Sequence, residues 1–252
     1  MCHTSQSIQA MPVTKEQLDK TLLQTFDIEQ FISVDPIGIV YQLRQHTTDQ
    51  LDIELGALFT AMISWGNRKA IRQAALHMLR DEMHWHPATF ILNQEYTQSY
   101  QTAKKDCVYR TLNRPTFITL CHNINKALTQ ANSPTLETMF RGRSTQEIIT
   151  TIATWLSPAR LGTPGRSACK RICMYLRWMI RRNSPDLGLW KTHDQAQLYA
   201  VMDTHVCQLT THLLKNKGAT WRSCQELTQL FRTWDPTDPL KYDIALMTTA
   251  DN

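Results

Sequence analysis

The stretch from Asp52 to Leu79, DIELGALFTAMISWGNRKAIRQAALHML, decides the fold class. Leu55, Leu58, Phe59, Met62 and Ile63 recur at i, i+3, i+4, i+7 and i+8. That is the spacing of one apolar face on a helix of about 3.6 residues per turn. The pattern breaks at Ser64-Trp65-Gly66-Asn67 and resumes with Ala70, Ile71, Ala74, Ala75, Met78 and Leu79. Two helices meeting at a short glycine-containing joint are therefore predicted.

The same period extends outward in both directions. Leu18, Leu22, Phe26 and Ile28 predict a helix over 15–31, and Thr14 with Gln17 has the pattern of a capping box. Asp35 is placed to cap the next helix, with Pro36 at its first position. The block from Pro87 to Arg114 shows no clear period. Helices follow over 117–128, 136–140 and 145–156, then over 167–182, which Asn183-Ser184-Pro185 stops. Helices over 202–215 and 223–234 complete the set, before Asp235-Pro236. Residues 1–14 read as a loose lead-in to one all-helical domain over 15–252. Only 8 of 252 residues are glycine, and neither Gly-x-Gly-x-x-Gly nor a glycine-rich phosphate loop occurs. These features argue against a nucleotide-binding α/β sheet.

Composition narrows the function classes. The chain is 42% hydrophobic and 19% charged, as a folded globular chain is. No run approaches the ~20 apolar residues that span a bilayer, and the first eleven residues lack an apolar secretory core. The seven cysteines, Cys2, Cys107, Cys121, Cys169, Cys173, Cys207 and Cys224, match no zinc or iron–sulfur spacing. Reduced thiols and a cytoplasmic location are expected, with no metal, no cofactor and no membrane partner. The net charge of +5 is modest, but its distribution is not even. From Ile148 to Pro185 there is no acidic residue, while Arg160, Arg166, Lys170, Arg171, Arg177, Arg181 and Arg182 all fall there. Such a block suits phosphates, or else it is a solvated helix face whose counter-charges come from elsewhere.

On the helix over 167–182, Lys170, Met174, Arg177 and Arg181 share one stripe, while Ile172, Leu176, Met179 and Ile180 fall on the buried side. Lys170 lies in the first turn, where backbone N–H groups attract anions and where Arg166 and Arg171 flank it. A lysine in its neutral form is a nucleophile able to form a Schiff base; the plainer reading is another phosphate contact. Asp203 opens Asp203-Thr204-His205-Val206 at a helix start. It is either a cap alone or a carboxylate that stabilises positive charge at an anomeric carbon.

The turn, the lysine-bearing helix and Asp203-Thr204-His205-Val206 together resemble the helix-hairpin-helix DNA glycosylase superfamily. Ser64-Trp65-Gly66-Asn67-Arg68-Lys69, Ser167-Ala168-Cys169-Lys170-Arg171, Met174-Tyr175-Leu176-Arg177-Trp178-Met179 and the run from Asp235 to Asp243 are similar to an uncharacterised bacterial family within it. The nearest functional guide is the archaeal 8-oxoguanine DNA glycosylase branch, whose wide spacing resembles the 33 positions between Lys170 and Asp203. The chain departs from the superfamily at the hairpin, Thr163-Pro164-Gly165-Arg166-Ser167, where Ser167 replaces a second glycine and Lys170 falls one position late.

The resemblance implies a two-lobed helical bundle that excises a damaged purine such as 8-oxoguanine from duplex DNA. It makes Lys170 the nucleophile and Asp203 its carboxylate partner, with abasic-site lyase activity through the Schiff base. Ser64, Trp65, Asn67, Arg68, Arg166, Arg171, Arg177, Arg181 and His205 become DNA contacts. Among them Asn67 wedges into the gap left by the flipped base, and Trp65 stacks. A monomer is expected. Two other readings stay open: a nucleic-acid-binding module without catalysis, and a helical scaffold anchored by Trp65, Trp178 and Trp190.

Overall fold

A computed structural model describes residues 13–24, 27–99, 107–159, 162 and 164–249. In chain order the helices are α1 (Lys15–Leu23), α2 (Ile28–Val34), α3 (Ile37–Leu43), α4 (Gln50–Met62), α5 (Arg68–Leu76), α6 (Pro87–Leu92) and α7 (Tyr96–Ser99). After a two-stranded hairpin, β1 (Cys107–Tyr109) and β2 (Leu112–Asn113), come α8 (Arg114–Ala131), α9 (Leu136–Phe140), α10 (Thr145–Trp155), α11 (Lys170–Ile180), α12 (Thr204–Thr210), α13 (Trp221–Trp234) and α14 (Lys241–Thr249). The molecule is mainly helical, as the periodicity predicts, and none of the described helices is long and apolar enough to cross a membrane.

The element that organises the rest is α4, buried from Leu51 through Met62. Its charged residues are not exceptions to the core but fastenings within it. The Glu54 carboxylate accepts the backbone N–H groups of Leu136 and Glu137, capping α9, and the indole N–H of Trp190 at 2.7 Å. The Asp52 carboxylate accepts the Ala88 N–H at 2.8 Å, at the start of α6, and the Thr47 hydroxyl at 2.9 Å. Two carboxylates on one helix thus satisfy backbone donors that two other helices leave open at their N-termini. Around α4 pack α3, α6 and α11, and at the other side α1 lies on α14. One apolar cluster runs through all of them.

Several expected boundaries shift for local reasons. The helix predicted over 15–31 is two helices: α1 carries the capping box of Thr14 and Gln17, and Asp27 caps α2. Phe26 lies outside the described residues. The start expected at Asp35-Pro36 shifts by one: Pro36 is the N-cap of α3 and Asp35 ends α2, although the Asp35 carboxylate still accepts the Ile37 N–H at 3.0 Å. The joint predicted at Ser64–Asn67 separates α4 from α5. The unassigned block after Pro87 holds two short helices and the hairpin. The helix predicted over 167–182 begins at Lys170, because Cys169 takes a left-handed φ of 49° and serves as its N-cap. The helix predicted over 202–215 spans only Thr204–Thr210. A final helix, α14, follows Asp238-Pro239.

The stripe expected to carry phosphates is corrected. All of α11 from Ile172 to Ile180 is buried, Arg177 and Arg181 near it included. Arg177 Nε pairs with Asp186 at 3.2 Å, and Arg181 pairs with Asp186 at 3.1 Å and Asp238 at 2.9 Å. The acid-free block takes its counter-charges from Asp186, just beyond it, and from Asp238, far along the chain. Arg177 and Arg181 are core residues, not surface contacts.

Candidate active site

Four backbone events converge on one cavity. The C-terminus of α4 delivers Ser64 and Trp65, the N-terminus of α11 delivers Lys170, the N-cap of α12 delivers Asp203, and α14 delivers Asp243. They line a cavity of about 330 Å³, at the small end of the range for ligand pockets. Lys170 Nζ stands 3.5 Å from Asp203 Oδ2, each side chain about one-third exposed. Asp203 Oδ1 accepts the Val206 N–H at 2.9 Å. The two roles weighed for Asp203 are therefore not exclusive: one oxygen caps α12 and the other faces the amine.

The cavity holds two carboxyls that sequence reasoning gave no role at the site. Asp243 is 1% exposed. Its Oδ2 accepts the Val201 N–H at 2.8 Å, while Oδ1 has no hydrogen-bond partner among the described residues. Burial pushes its pKa up to about 6, against the pull of Arg177. Asp35 is also buried and raised by desolvation, its bond to the Ile37 N–H opposing. An unpaired buried acceptor on a cavity wall is a group waiting for a donor. The signal for Asp243 was the single acid in Asp243-Ile244-Ala245-Leu246-Met247, but an acid among apolar residues does not say what it faces.

The titration has a consequence for stability. Asp243 binds its proton more tightly folded than unfolded, so the folded state is favoured below about pH 4 and loses that advantage as the pH rises through about 6. Asp243→Asn keeps an acceptor for Val201 and removes the charge. At pH 8 it is expected to be more stable than the parent by about 2 kcal/mol. Urea unfolding at pH 4 and pH 8 checks this: equal gaps at both pH values would contradict a raised Asp243.

Trp65 stands at the mouth of the cavity and is held on three sides. The Tyr109 hydroxyl donates to the Trp65 carbonyl at 2.9 Å, the Tyr109 ring meets the indole edge-on, and the Arg110 guanidinium lies 4.3 Å from the ring centroid. Gly66, at φ 98°, makes this possible, because a Cβ there would fall 2.1 Å from Arg110 Nη1. Neither Tyr109 nor Arg110 was a candidate from sequence, since the hairpin that brings them has no Asn-Gly or Asp-Gly turn.

The other candidates divide. Ser64, Trp65, Arg68, Arg177 and His205 join Lys170 and Asp203 on the cavity lining. Ser64 is buried and donates to the Thr60 carbonyl at 2.7 Å, and His205 is exposed. Asn67 is outside the lining and caps α5 by accepting the Ala70 N–H, with its side chain exposed. Arg166 is exposed on the turn before α11, and Arg181 is in the core. Arg171 donates to the Met62 carbonyl at 3.0 Å.

A family model described as a protein of unknown function, DUF2400, matches residues 35–250. No curated protein and no solved structure is matched by the chain.

Proposed function

The chain belongs to the DUF2400 family, and we propose that it is a base-excising DNA glycosylase with lyase activity, of the helix-hairpin-helix kind. The observation that carries this reading is the Lys170–Asp203 pair, 3.5 Å apart on the wall of a base-sized cavity. A lysine amine beside a carboxylate, on the wall of a cavity, is the equipment for attack on an anomeric carbon. The turn at 164–166 before α11 and the acid-capped α12 are consistent with the expected bundle.

In this mechanism a damaged nucleotide leaves the helix and its base enters the cavity. Asp203 takes the proton of the Lys170 ammonium. The free amine attacks C1′, and the bond between C1′ and the base nitrogen breaks, with its electron pair leaving on the base. One proton of the resulting secondary ammonium is transferred to O4′ as C1′–O4′ breaks, so the sugar ring opens and leaves an iminium between C1′ and Nζ. Loss of a C2′ proton expels the 3′-phosphate by β-elimination. Asp203 passes the proton it took to the departing base nitrogen and, as a carboxylate again, balances the positive charge on C1′ and the iminium.

Asp243 supports a guanine-type purine over an adenine-type one. Its unpaired oxygen is an acceptor, and the edge of guanine carrying N1–H and the exocyclic amine presents adjacent donors. The 8-oxoguanine expected from sequence is such a base.

Borohydride trapping tests the proposal. The protein is incubated with duplexes bearing an abasic site or 8-oxoguanine, then reduced. A covalent adduct is expected on both, because reduction turns the iminium into a stable secondary amine. Salt-sensitive binding without any adduct would leave a nucleic-acid-binding module and remove the chemistry.

A further inference from the structure

Trp65 lines three cavities. One is the candidate active site, and an open one beside it is shared with Lys170, Arg171 and Asp203. The third, about 590 Å³, is formed by the indole together with Met62, Leu112, Thr116, Pro158 and Arg171. None of its lining residues is acidic. That sets Arg171 apart from the other withdrawn arginines of the same helix: Arg177 and Arg181 each have an aspartate, whereas Arg171 has the Met62 carbonyl and, among the described residues, no carboxylate. Burial alone pulls its pKa down.

Withdrawing a guanidinium from water without a counter-charge costs free energy that one backbone carbonyl offsets only in part. Four of the five N–H donors of the planar fork remain for an anion's oxygens. The walls supply the other half of a nucleotide's requirements. Trp65 offers an aromatic face, Leu112 and Pro158 offer apolar contact, and Thr116 offers a hydroxyl. Arg171 is partly buried and tied to the Met62 carbonyl, so the phosphate of a nucleotide that has left its stack is better placed to reach it than one on an undistorted duplex surface.

We propose that this cavity is a second nucleotide subsite beside Trp65, in which Arg171 holds the phosphate of a nucleotide displaced from its helix. It rests on the nucleic-acid-binding part of the reading above and not on the excision chemistry.

The test is equilibrium binding by fluorescence anisotropy, using the full chain and two duplexes of one sequence. One is intact; the other carries a tetrahydrofuran abasic analogue, which has no aldehyde and forms no Schiff base. Arg171→Met is expected to weaken binding to the tetrahydrofuran duplex about tenfold and to the intact duplex by less than about twofold. Thr116→Phe, which narrows the cavity while leaving Arg171 in place, is expected to reproduce the selective loss. Equal losses on both duplexes would make Arg171 a surface phosphate contact and overturn the subsite, as would unchanged affinity in both variants. A parent protein that binds the tetrahydrofuran duplex yet traps no borohydride adduct loses the excision chemistry and keeps this subsite. One that binds neither duplex overturns both.

Discussion

Asp186→Ala is expected to destabilise the protein by roughly 3–5 kcal/mol, the range for breaking a buried ion pair from one side. Asp186 has a fully buried side chain and serves two guanidiniums at once, Arg177 Nε through Oδ1 and Arg181 Nη1 through Oδ2. Arg181 keeps a second partner, Asp238, bound through two parallel contacts of 2.9 Å. Among the described residues Arg177 keeps a weak contact to the Met247 sulfur and the more distant fields of Asp243 and Asp35. Alanine therefore strands a positive charge inside the protein, and the penalty is the desolvation of that charge more than the loss of attraction. Asp186→Asn, which preserves the shape and one acceptor, is expected to cost less. Asp81→Ala is the control. Asp81 also meets two basic side chains, the Arg80 guanidinium and the His77 ring, but on the surface, where water replaces them. In thermal unfolding the Asp186→Ala midpoint should fall by about 10 °C, with Asp81→Ala indistinguishable from the parent. A fall of under 3 °C would mean that Arg177 and Arg181 find water or other acceptors, and the core role given to them would be lost.

The same cluster shows what a one-dimensional reading can and cannot see. The joint at Ser64–Asn67, the capping box at Thr14 and the helix start at Asp203 were legible because their physics is local: apolar period, cap and first turn lie within a few residues of one another. The charge of the Ile148–Pro185 block was legible too, but not its destination. Arg181 finds Asp238, 57 positions on, and charge count along the chain says nothing of that distance. Arg177 read as a phosphate contact when it is a buried partner of Asp186, because the acid nine positions on lies outside the block and past the turn that ends the helix. The site divided in the same way. Lys170 and Asp203 announced themselves by residue type at helix starts. Asp35, Asp243 and Arg110 matter only because α3, α14 and the hairpin fold onto the same cavity mouth from three separate regions of sequence.

Lys170→Ala and Asp203→Asn should separate the two halves of the proposed chemistry. Lys170→Ala removes the only group assigned to attack C1′, so the borohydride adduct should disappear on every duplex. Its affinity for the tetrahydrofuran duplex should stay within a few-fold of the parent. Lys126→Ala, an exposed lysine on α8 remote from the lining residues, should trap as the parent does. Asp203→Asn behaves differently. Asparagine caps a helix about as well as aspartate, so α12 should keep its start and its Val206 bond. The carboxylate charge that faces Lys170 is gone, however. Excision of an intact damaged base, which needs charge stabilised at C1′, should slow by about 10²–10⁴-fold. Trapping at a preformed abasic aldehyde needs only the amine and should persist at a reduced rate. That split, one variant silent everywhere and the other silent only where a base must leave, is what a nucleophile and a charge-stabilising carboxylate predict. If Lys170→Ala still forms the adduct, the nucleophile is another amine and the pair is only an ion pair. If both variants lose trapping at the abasic aldehyde alike, Asp203 acts by holding Lys170 in place rather than by its charge at C1′.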